Sequence, residues 1–188
     1  GIVATANTGN AVVQAGSTID VSAVGNAYGV HAATYLDGYV DVTVAGATTV
    51  TSTSGSGYGV LATTPGVGSV TVNAGAIDVT ADQAAYGVYA LASGTGAVTV
   101  ATTGSISADA NLGNAEGIHA QADGNATVTS AGNVTATSTD GNATGLYADS
   151  NAGDASIDAG AGNIVATSTN ADATGIHAYG YGDGYVAA

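Results

Sequence analysis

Residues 85–90 read Ala-Tyr-Gly-Val-Tyr-Ala, residues 96–100 read Gly-Ala-Val-Thr-Val, and residues 104–108 read Gly-Ser-Ile-Ser-Ala. In these segments apolar side chains alternate with polar or small ones, which is typical of β-strands with one buried face. Glycine, serine and threonine lie between the segments and predict turns there. This stretch therefore predicts three short strands, and it decides the fold because the whole chain repeats it.

The first segment recurs along the chain as Gly–(Val/Ile/Leu)–x–Ala. Its glycines are Gly1, Gly29, Gly59, Gly87, Gly117, Gly145 and Gly175, so successive repeats alternate between 28 and 30 residues. In most repeats a valine of the second segment follows the glycine at a constant spacing; these are Val12, Val40, Val70, Val98, Val128 and Val186. Three strands per repeat and no helical segment predict an all-β fold, a parallel β-helix whose coils bury their apolar faces only against each other.

A parallel β-helix places equivalent residues of successive coils in columns about 4.8 Å apart. The inward columns predicted for the first strand are Ile2, Val30, Val60, Val88, Ile118, Leu146 and Ile176, and Ala4, Ala32, Ala62, Ala90, Ala120, Ala148 and Ala178. Those for the second and third strands are Val40, Val70, Val98 and Val128, and Ile77, Ile106, Val134 and Ile164. The motif glycine is predicted at a corner that needs a positive φ or a close backbone approach. Residues 1–188 thus form one solenoid segment of roughly 6.5 coils, about 30 Å tall.

The composition excludes several kinds of partner and site. The chain has no Lys or Arg and 14 acidic residues, for a net charge of −14. Without cations it has no side-chain charge to hold phosphates, so neither nucleic acid nor an anionic membrane surface is an expected partner. It has no Cys, hence no disulfide and no zinc–cysteine site. No apolar run approaches the length of a membrane span, so direct membrane insertion is not expected.

The three segments at 85–90, 96–100 and 104–108 resemble the repeats of autotransporter passenger domains and of related filamentous-haemagglutinin-like adhesins of Gram-negative bacteria. The resemblance covers essentially the whole chain. It implies a right-handed parallel β-helix that is secreted through an outer-membrane barrel and displayed at the cell surface or released outside the cell. It also implies that the chain is a piece of a longer protein or a processed product.

Together, repeat and resemblance predict a structural, extracellular stalk or fibre segment that acts in adhesion or biofilm matrix. Two alternatives stay open at this point: a subunit that polymerises into filaments, and a glycan-binding module. The expected partners are accordingly further copies or neighbouring fibres, and host or matrix glycans.

The candidate binding residues lie two positions after the motif glycines and are predicted to point outward. Those with rings are His31, Tyr89, His119, Tyr147 and His177, in one row with Val3 and Leu61. The alternative interpretation is a solvent-facing stack that only supports its neighbours. The three histidines do not predict a metal site, because the closest two are two coils, about 10 Å, apart. Further tyrosines, which favour self-association, are Tyr28, Tyr58, Tyr86, Tyr35, Tyr39, Tyr179, Tyr181 and Tyr185.

Acidic residues provide the remaining candidates. Paired carboxylates could serve as acid and base in glycan cleavage; the pairs are Asp37 with Asp41 and Asp154 with Asp158. Because aspartates are scattered along the repeats, we interpret them as solubilising, predict no catalytic residue and expect no enzyme. No cofactor is predicted; structural calcium at Asp-Gly turns is an alternative, at Asp37-Gly38, Asp123-Gly124, Asp140-Gly141 and Asp183-Gly184.

Overall fold

A computed structural model describes residues 1–187 as twenty β-strands joined by short connections. In chain order the strands are β1 Ile2–Ala6, β2 Ala11–Ala15, β3 Ile19–Ala23, β4 Ala27–Thr34, β5 Val40–Val44, β6 Thr48–Ser52, β7 Gly57–Thr64, β8 Val70–Ala74, β9 Ile77–Ala81, β10 Ala85–Ala92, β11 Val98–Thr102, β12 Ile106–Ala110, β13 Ala115–Ala122, β14 Ala126–Ser130, β15 Val134–Ser138, β16 Ala143–Ser150, β17 Ala155–Asp158, β18 Ile164–Ser168, β19 Ala173–Gly180 and β20 Gly184–Ala187. Within residues 1–187 there is no helix that could cross a membrane.

The strands form three parallel sheets that run the length of the chain. The first sheet has the order β1-β4-β7-β10-β13-β16-β19, the second β2-β5-β8-β11-β14-β17-β20, and the third β3-β6-β9-β12-β15-β18. Each strand pairs with the strand three places before it in the chain, so each coil contributes one strand to each sheet. The predicted parallel β-helix with three strands per coil is confirmed.

The interior contains the side-chain columns predicted for the first and third strands, together with the inward valines of the second sheet, such as Val42, Val72 and Val100. In the first sheet Val60 pairs with Val88 and Val88 with Ile118, and the alanine column runs beside them. In the third sheet Ile77 pairs with Ile106, followed by Val134 and Ile164. These side chains are fully or nearly fully buried in the middle coils, whereas the members of the same columns near the two ends are only partly buried: Ile2, Ala4, Ile164, Ile176 and Ala178. Aliphatic side chains stacked on their own equivalents exclude water from the axis of the solenoid.

The second sheet departs from the prediction at Val128. This residue pairs with Val100, whereas Val98 pairs with Ala126. The connection before the strand explains the shift: it spans 93–97 in one coil but only 123–125 in the next, so β14 begins earlier in its coil than β11 does. Val12 has the same spacing from its glycine as these valines, but it pairs with Asp41 on the outer surface and Val13 takes the inward position.

The alternation of shorter and longer repeats is confirmed in the first sheet, where Ile2 pairs with Val30 and Val30 with Val60. The second and third sheets do not keep it. In the third sheet, for example, Ile19 pairs with Thr48 and Thr48 with Ile77, so these two successive steps are equally long. Connections of different length therefore compensate one another within a coil, and the strict alternation belongs to the first strand alone.

Six of the seven motif glycines lie inside the strands of the first sheet and Gly1 precedes β1, so the predicted corner with positive φ is wrong. Positive φ values occur only at Gly9, Gly38 and Gly160 among residues 1–187. The alternative reason, close approach, is confirmed: a Cβ on Gly87 would lie under 3.0 Å from Ile106 of the third strand. The glycine and the aliphatic residue after it both face the interior. The side chain of Ile106 in the third sheet occupies the space that a side chain at position 87 would need.

Serines hold several turns in place. Ser138 at the end of β15 donates a hydrogen bond from Oγ to the carbonyl oxygen of Gly113 (2.7 Å) and accepts one from the backbone N–H of Gly141 (2.9 Å). The same pair of bonds occurs at Ser52, Ser150 and Ser168. Each serine thus pairs with backbone groups of two successive coils, which would otherwise lack a hydrogen-bond partner within the protein.

Asparagines continue the backbone hydrogen bonding through other turns. Asn114 accepts a hydrogen bond at Oδ1 from the N–H of Asn142, and Asn142 accepts one from the N–H of Asp172, at 3.0 and 3.2 Å. Asn26, Asn125 and Asn133 bind the next coil in the same way. The connections are therefore stacked and bonded along the axis as the strands are.

One inward position carries a hydroxyl without a partner. Thr48 stands between Ile19 and Ile77 in the third-sheet column, is 1 % exposed, and its Oγ1 has no hydrogen-bond partner. A buried unsatisfied hydroxyl is costly, and valine has the same shape without it. We expect Thr48→Val to raise the free energy of unfolding in urea by about 1 kcal/mol.

The control for this prediction is Thr102→Val. Thr102 is equally buried, but its Oγ1 donates to Ser130 Oγ at 3.1 Å. The same substitution there breaks a buried hydrogen bond and should lower the free energy of unfolding by about 1 kcal/mol. Equal effects at both positions would contradict this interpretation of Thr48.

Candidate functional surface on the first sheet

Three columns of side chains point outward from the first sheet. The first column holds the residue before each motif glycine, the second the residue two positions after it, and the third the residue four positions after it. The motif supplies the regular spacing, because it fixes which positions of every coil face outward. All five candidate binding residues lie in the second column, as predicted.

The structure stacks four of the five candidates face to face. The ring centroids of Tyr89 and His119 are 4.6 Å apart, those of His119 and Tyr147 are 4.6 Å apart, and those of Tyr147 and His177 are 4.9 Å apart. Their ring planes are parallel to within 21°. His31 is separated from this stack by Leu61 in the same column.

The tyrosines of the first column form a second stack, and both stacks touch. Tyr28, Tyr58 and Tyr86 lie 5.1 and 5.0 Å apart with nearly parallel rings, and His31 stacks on Tyr28 at 5.4 Å. Tyr86 meets Tyr89 edge-on at 5.2 Å. Eight rings therefore make one continuous series, which we call the aromatic ladder: Tyr28, His31, Tyr58, Tyr86, Tyr89, His119, Tyr147 and His177.

Stacking decides which parts of these rings are available to a ligand. Within each stack the faces of neighbouring rings cover one another, so mainly ring edges remain at the surface. A sugar ring stacks on an aromatic face, whereas parallel stacking between ladder residues contributes about 0.5–1.5 kcal/mol per pair to stability. This geometry favours the interpretation of the row as a support for the coils over its use as a sugar platform.

Carboxylates orient two ladder residues. His119 Nδ1 lies 2.6 Å from Glu116 Oε2, and only 14 % and 15 % of the surfaces of these two side chains are exposed. The Tyr147 hydroxyl donates to Asp149 Oδ2 at 3.1 Å. The sequence analysis did not predict either pair. The spacing could have indicated them, because Glu116 and His119, three positions apart, and Tyr147 and Asp149, two positions apart, each lie on the same outward side of a strand.

The ladder raises the pKa of four phenols. Burial raises the pKa of Tyr58, Tyr86 and Tyr89, and the negative charge of Glu116 adds to the effect at each. Burial, the charge of Asp149 and the hydrogen bond to it together raise the pKa of Tyr147 to about 12. At all four tyrosines the surroundings disfavour the negatively charged phenolate.

These shifts predict alkaline sensitivity. A phenol whose pKa is higher in the folded than in the unfolded chain stabilises the fold fully below pH 10, and this contribution is lost as the pH rises towards 12. We expect the urea midpoint to fall over that range. Tyr147→Phe keeps the ring stack and removes one of the titrating groups, so its midpoint should fall less steeply. A midpoint that does not change between pH 10 and 12 would contradict the prediction.

Charge is unevenly distributed around the solenoid. The outward residues of β4, β7 and β10 include no acidic side chain, although the chain carries 14 of them. Beside them lies a groove of about 450 Å³ lined by small and apolar groups, among them Ala33, Thr63 and Leu91. Tyr35, which is 58 % exposed, and Pro65 form one wall of this groove. This part of the first sheet is therefore a neutral surface on an acidic protein.

The remaining tyrosines are exposed near the two ends of the solenoid. Tyr35 and Tyr39 lie in the connection 35–39 with about half of their surface exposed. Tyr179, Tyr181 and Tyr185 are exposed at the other end, by 57 to 80 %. The tyrosines of the first column are instead only partly exposed, because they cover one another.

The carboxylate pairs considered for catalysis have structural partners or face solvent. Asp154 Oδ1 accepts a hydrogen bond from the N–H of Asp183, and Asp158 Oδ1 one from the N–H of Gly160. Asp41 faces outward on β5, and Asp37 lies in the connection before it.

Two of the Asp-Gly turns considered for calcium pair with asparagine. Asp123 Oδ1 accepts from the Asn151 amide and Asp140 Oδ1 from the Asn170 amide, both at 2.7 Å. Residues 1–187 contain no cluster of three His, Asp or Glu side chains that would hold a metal ion. At these two turns the carboxylate therefore has an amide partner in the next coil.

Comparisons of the chain with protein families, with curated proteins and with solved structures find no match.

Proposed function

We propose that this protein is a rigid structural segment, a stalk or fibre rod, of an extracellular bacterial surface protein that acts in adhesion or biofilm matrix. The observation that supports it most directly is the continuity of the three sheets, which run in register through every coil of the described chain. A rod of this kind serves to hold other surfaces at a distance.

The rigidity of the rod has a clear physical source. Backbone hydrogen bonds run parallel to the axis in all three sheets, and serine and asparagine side chains extend them through the turns. Each coil packs only on its neighbours, so stability accumulates along the axis as it does in other repeat proteins. The aromatic ladder adds a further row of axial contacts on the outside.

The surface composition supports a place outside the cell. The chain has no Lys or Arg, so trypsin-like proteases find no cleavage site in it. Its net charge of −14 keeps it soluble and repels other acidic surfaces. Export from a Gram-negative bacterium rests on the resemblance to autotransporter passengers and filamentous-haemagglutinin-like adhesins. Further copies and matrix glycans are the partners that such a rod would meet.

The proposal is tested on the source bacterium. Antibodies raised against the chain should label intact cells as strongly as permeabilised ones, with a cytoplasmic protein as the control for cell integrity. Deleting two coils in frame, residues 59–116, from the gene should keep the surface labelling and reduce adhesion or biofilm mass. Labelling that requires permeabilisation would overturn the extracellular role, and unchanged adhesion and biofilm would overturn the structural role in them.

A further inference from the structure

We propose that two copies of the chain associate side by side through the first sheet, across a surface that we call the neutral face. It consists of the outward residues of β4, β7 and β10 that keep accessible surface: Tyr28, His31, Tyr58, Leu61, Thr63, Tyr86, Tyr89 and Leu91. The inference rests on the proposed function in one respect, since it concerns a rod that meets other rods.

Charge and side-chain size together identify this face. The second sheet carries Asp41 and Asp158 outward, and the third sheet carries Asp20, Asp78 and Asp109. The chain has no cation, so two copies form no ion pair wherever they touch, apart from those that a protonated histidine or the amino terminus would make. The strands that carry these aspartates therefore repel their equivalents in a second copy. The middle strands of the second sheet, β8, β11 and β14, also carry no outward carboxylate, but their outward side chains are threonine, asparagine and alanine. Only the neutral face combines a lack of carboxylates with large tyrosine and leucine side chains.

The first sheet does carry two carboxylates, but they lie outside this face. Glu116 on β13 contacts His119, and Asp149 on β16 accepts hydrogen bonds from Tyr147 and Gln121. Both belong to the half of the sheet nearer the chain's end. A second copy docked over β4, β7 and β10 leaves these groups at the edge of the contact.

The shape of the face suits a copy of itself. The groove beside Ala33 and Thr63 is bounded by the connection that carries Tyr35 and Leu36, whose side chains are 58 % and 54 % exposed. The same connection carries the exposed Asp37, so the contact between two copies has to leave this carboxylate at its edge. In a two-fold arrangement the same patch of both copies meets, so the apolar wall of one copy can fill the groove of the other. Tyrosine suits such a contact, because it offers a large area with a polar tip.

The area of the neutral face indicates how tightly two copies can associate. Three strands about 4.8 Å apart and eight residues long cover about 400 Å² of each copy, against about 800 Å² per partner in stable complexes. We therefore expect a weak, reversible dimer. A cationic partner would prefer the acidic faces of the second and third sheets, and a glycan would find most ring faces covered.

A matched pair of substitutions tests the face. Thr63 on the first sheet and Thr71 on the second are partly exposed threonines of the same coil. Thr63→Asp and Thr71→Asp add the same charge, but only the first adds it to the neutral face. In sedimentation-velocity concentration series we expect the unchanged chain to dimerise, more tightly at high than at low salt. Thr63→Asp should raise the dissociation constant at least tenfold more than Thr71→Asp does.

The outcomes separate this inference from the proposed function. A chain that stays monomeric up to millimolar concentration, equal effects of both variants, or weaker association at high salt would each overturn the neutral face. Circular dichroism and urea unfolding report on the rod independently, so a folded monomer leaves the structural role intact. If Thr63→Asp unfolds, Tyr35→Asp in the exposed connection replaces it, with Thr53→Asp in another exposed connection as its control.

Discussion

Gly87→Ala is expected to lower the free energy of unfolding by about 3 kcal/mol or more, an unusually large effect for one added methyl group. The new Cβ would lie under 3.0 Å from the Cγ2 of Ile106 and from the carbonyl oxygen of Gly117. The isoleucine belongs to the third sheet and the carbonyl to the next coil, so relief requires both neighbours to move. Urea unfolding followed by circular dichroism measures the loss.

The sign of this effect is informative, because backbone entropy alone predicts the opposite. The φ of Gly87 is not in the left-handed region, and at such positions alanine stabilises a protein by about 0.4–1 kcal/mol through the unfolded chain. Gly16 and Gly25 are the controls: their added Cβ would meet nothing within 4 Å. We expect Gly16→Ala and Gly25→Ala to be neutral or mildly stabilising. Destabilisation of the same size at all three glycines would refute the role of close packing.

A double substitution locates the strain. Ile106→Ala alone removes a buried side chain and should cost about 2–5 kcal/mol. Combined with Gly87→Ala it also removes one of the two clashing groups. The double variant should therefore be more stable than the sum of the two single effects predicts. Strict additivity would show that Ile106 does not limit the residue at position 87.

Ser138→Ala is the second large effect that we expect, a loss of about 2–3 kcal/mol in the free energy of unfolding. The serine is 1 % exposed and its hydroxyl bonds two backbone groups, the carbonyl of Gly113 and the N–H of Gly141. Without it both groups lose their protein partner at a partly buried turn, where their access to water is restricted. Urea unfolding measures the loss.

An exposed serine in a comparable turn is the control. Ser54 donates from Oγ to the carbonyl oxygen of Val24 at 2.6 Å, but in an exposed turn. There water replaces the lost hydroxyl, so Ser54→Ala should change the free energy of unfolding by less than about 0.5 kcal/mol. Similar losses for both variants would mean that burial of the partners is not what makes Ser138 important.

Sequence and structure agree most closely where a single strand type is concerned. The spacing of Gly29, Gly59 and Gly87 placed Val30, Val60 and Val88 in one column, and the first sheet has that register. The outward row of His31, Tyr89 and Tyr147 followed from the same spacing. Such predictions succeed because strand residues alternate faces with a period of two, so one known position fixes its neighbours.

Agreement is lost where connections differ in length. Val128 was placed with Val98 by counting from the glycine, but the short connection at 123–125 moves it into register with Val100. The length of a connection is set by how its backbone closes onto the turn below. Hydrophobic spacing within the strands carries no information about that closure.

For the candidate surface, too, the sequence predicted the features within one column of side chains but not the contacts between columns. The sequence identified which rings point outward, but not that Tyr86 meets Tyr89 edge-on or that Glu116 reaches His119. Those contacts join different columns and depend on side-chain directions. The distance between columns is a property of the sheet surface and not of the repeat.

By itself, then, the sequence determined the repeat, the three strands per coil, the in-and-out pattern of each strand and the lack of any cation. These follow from local periodicity and composition, which need no knowledge of neighbours. Only the tertiary structure decided why glycine is required at 87, which hydroxyls hold the turns, and where a neutral face lies on an acidic rod. Each of these depends on atoms that approach from another strand or another coil, and such approaches exist only once the chain has closed on itself.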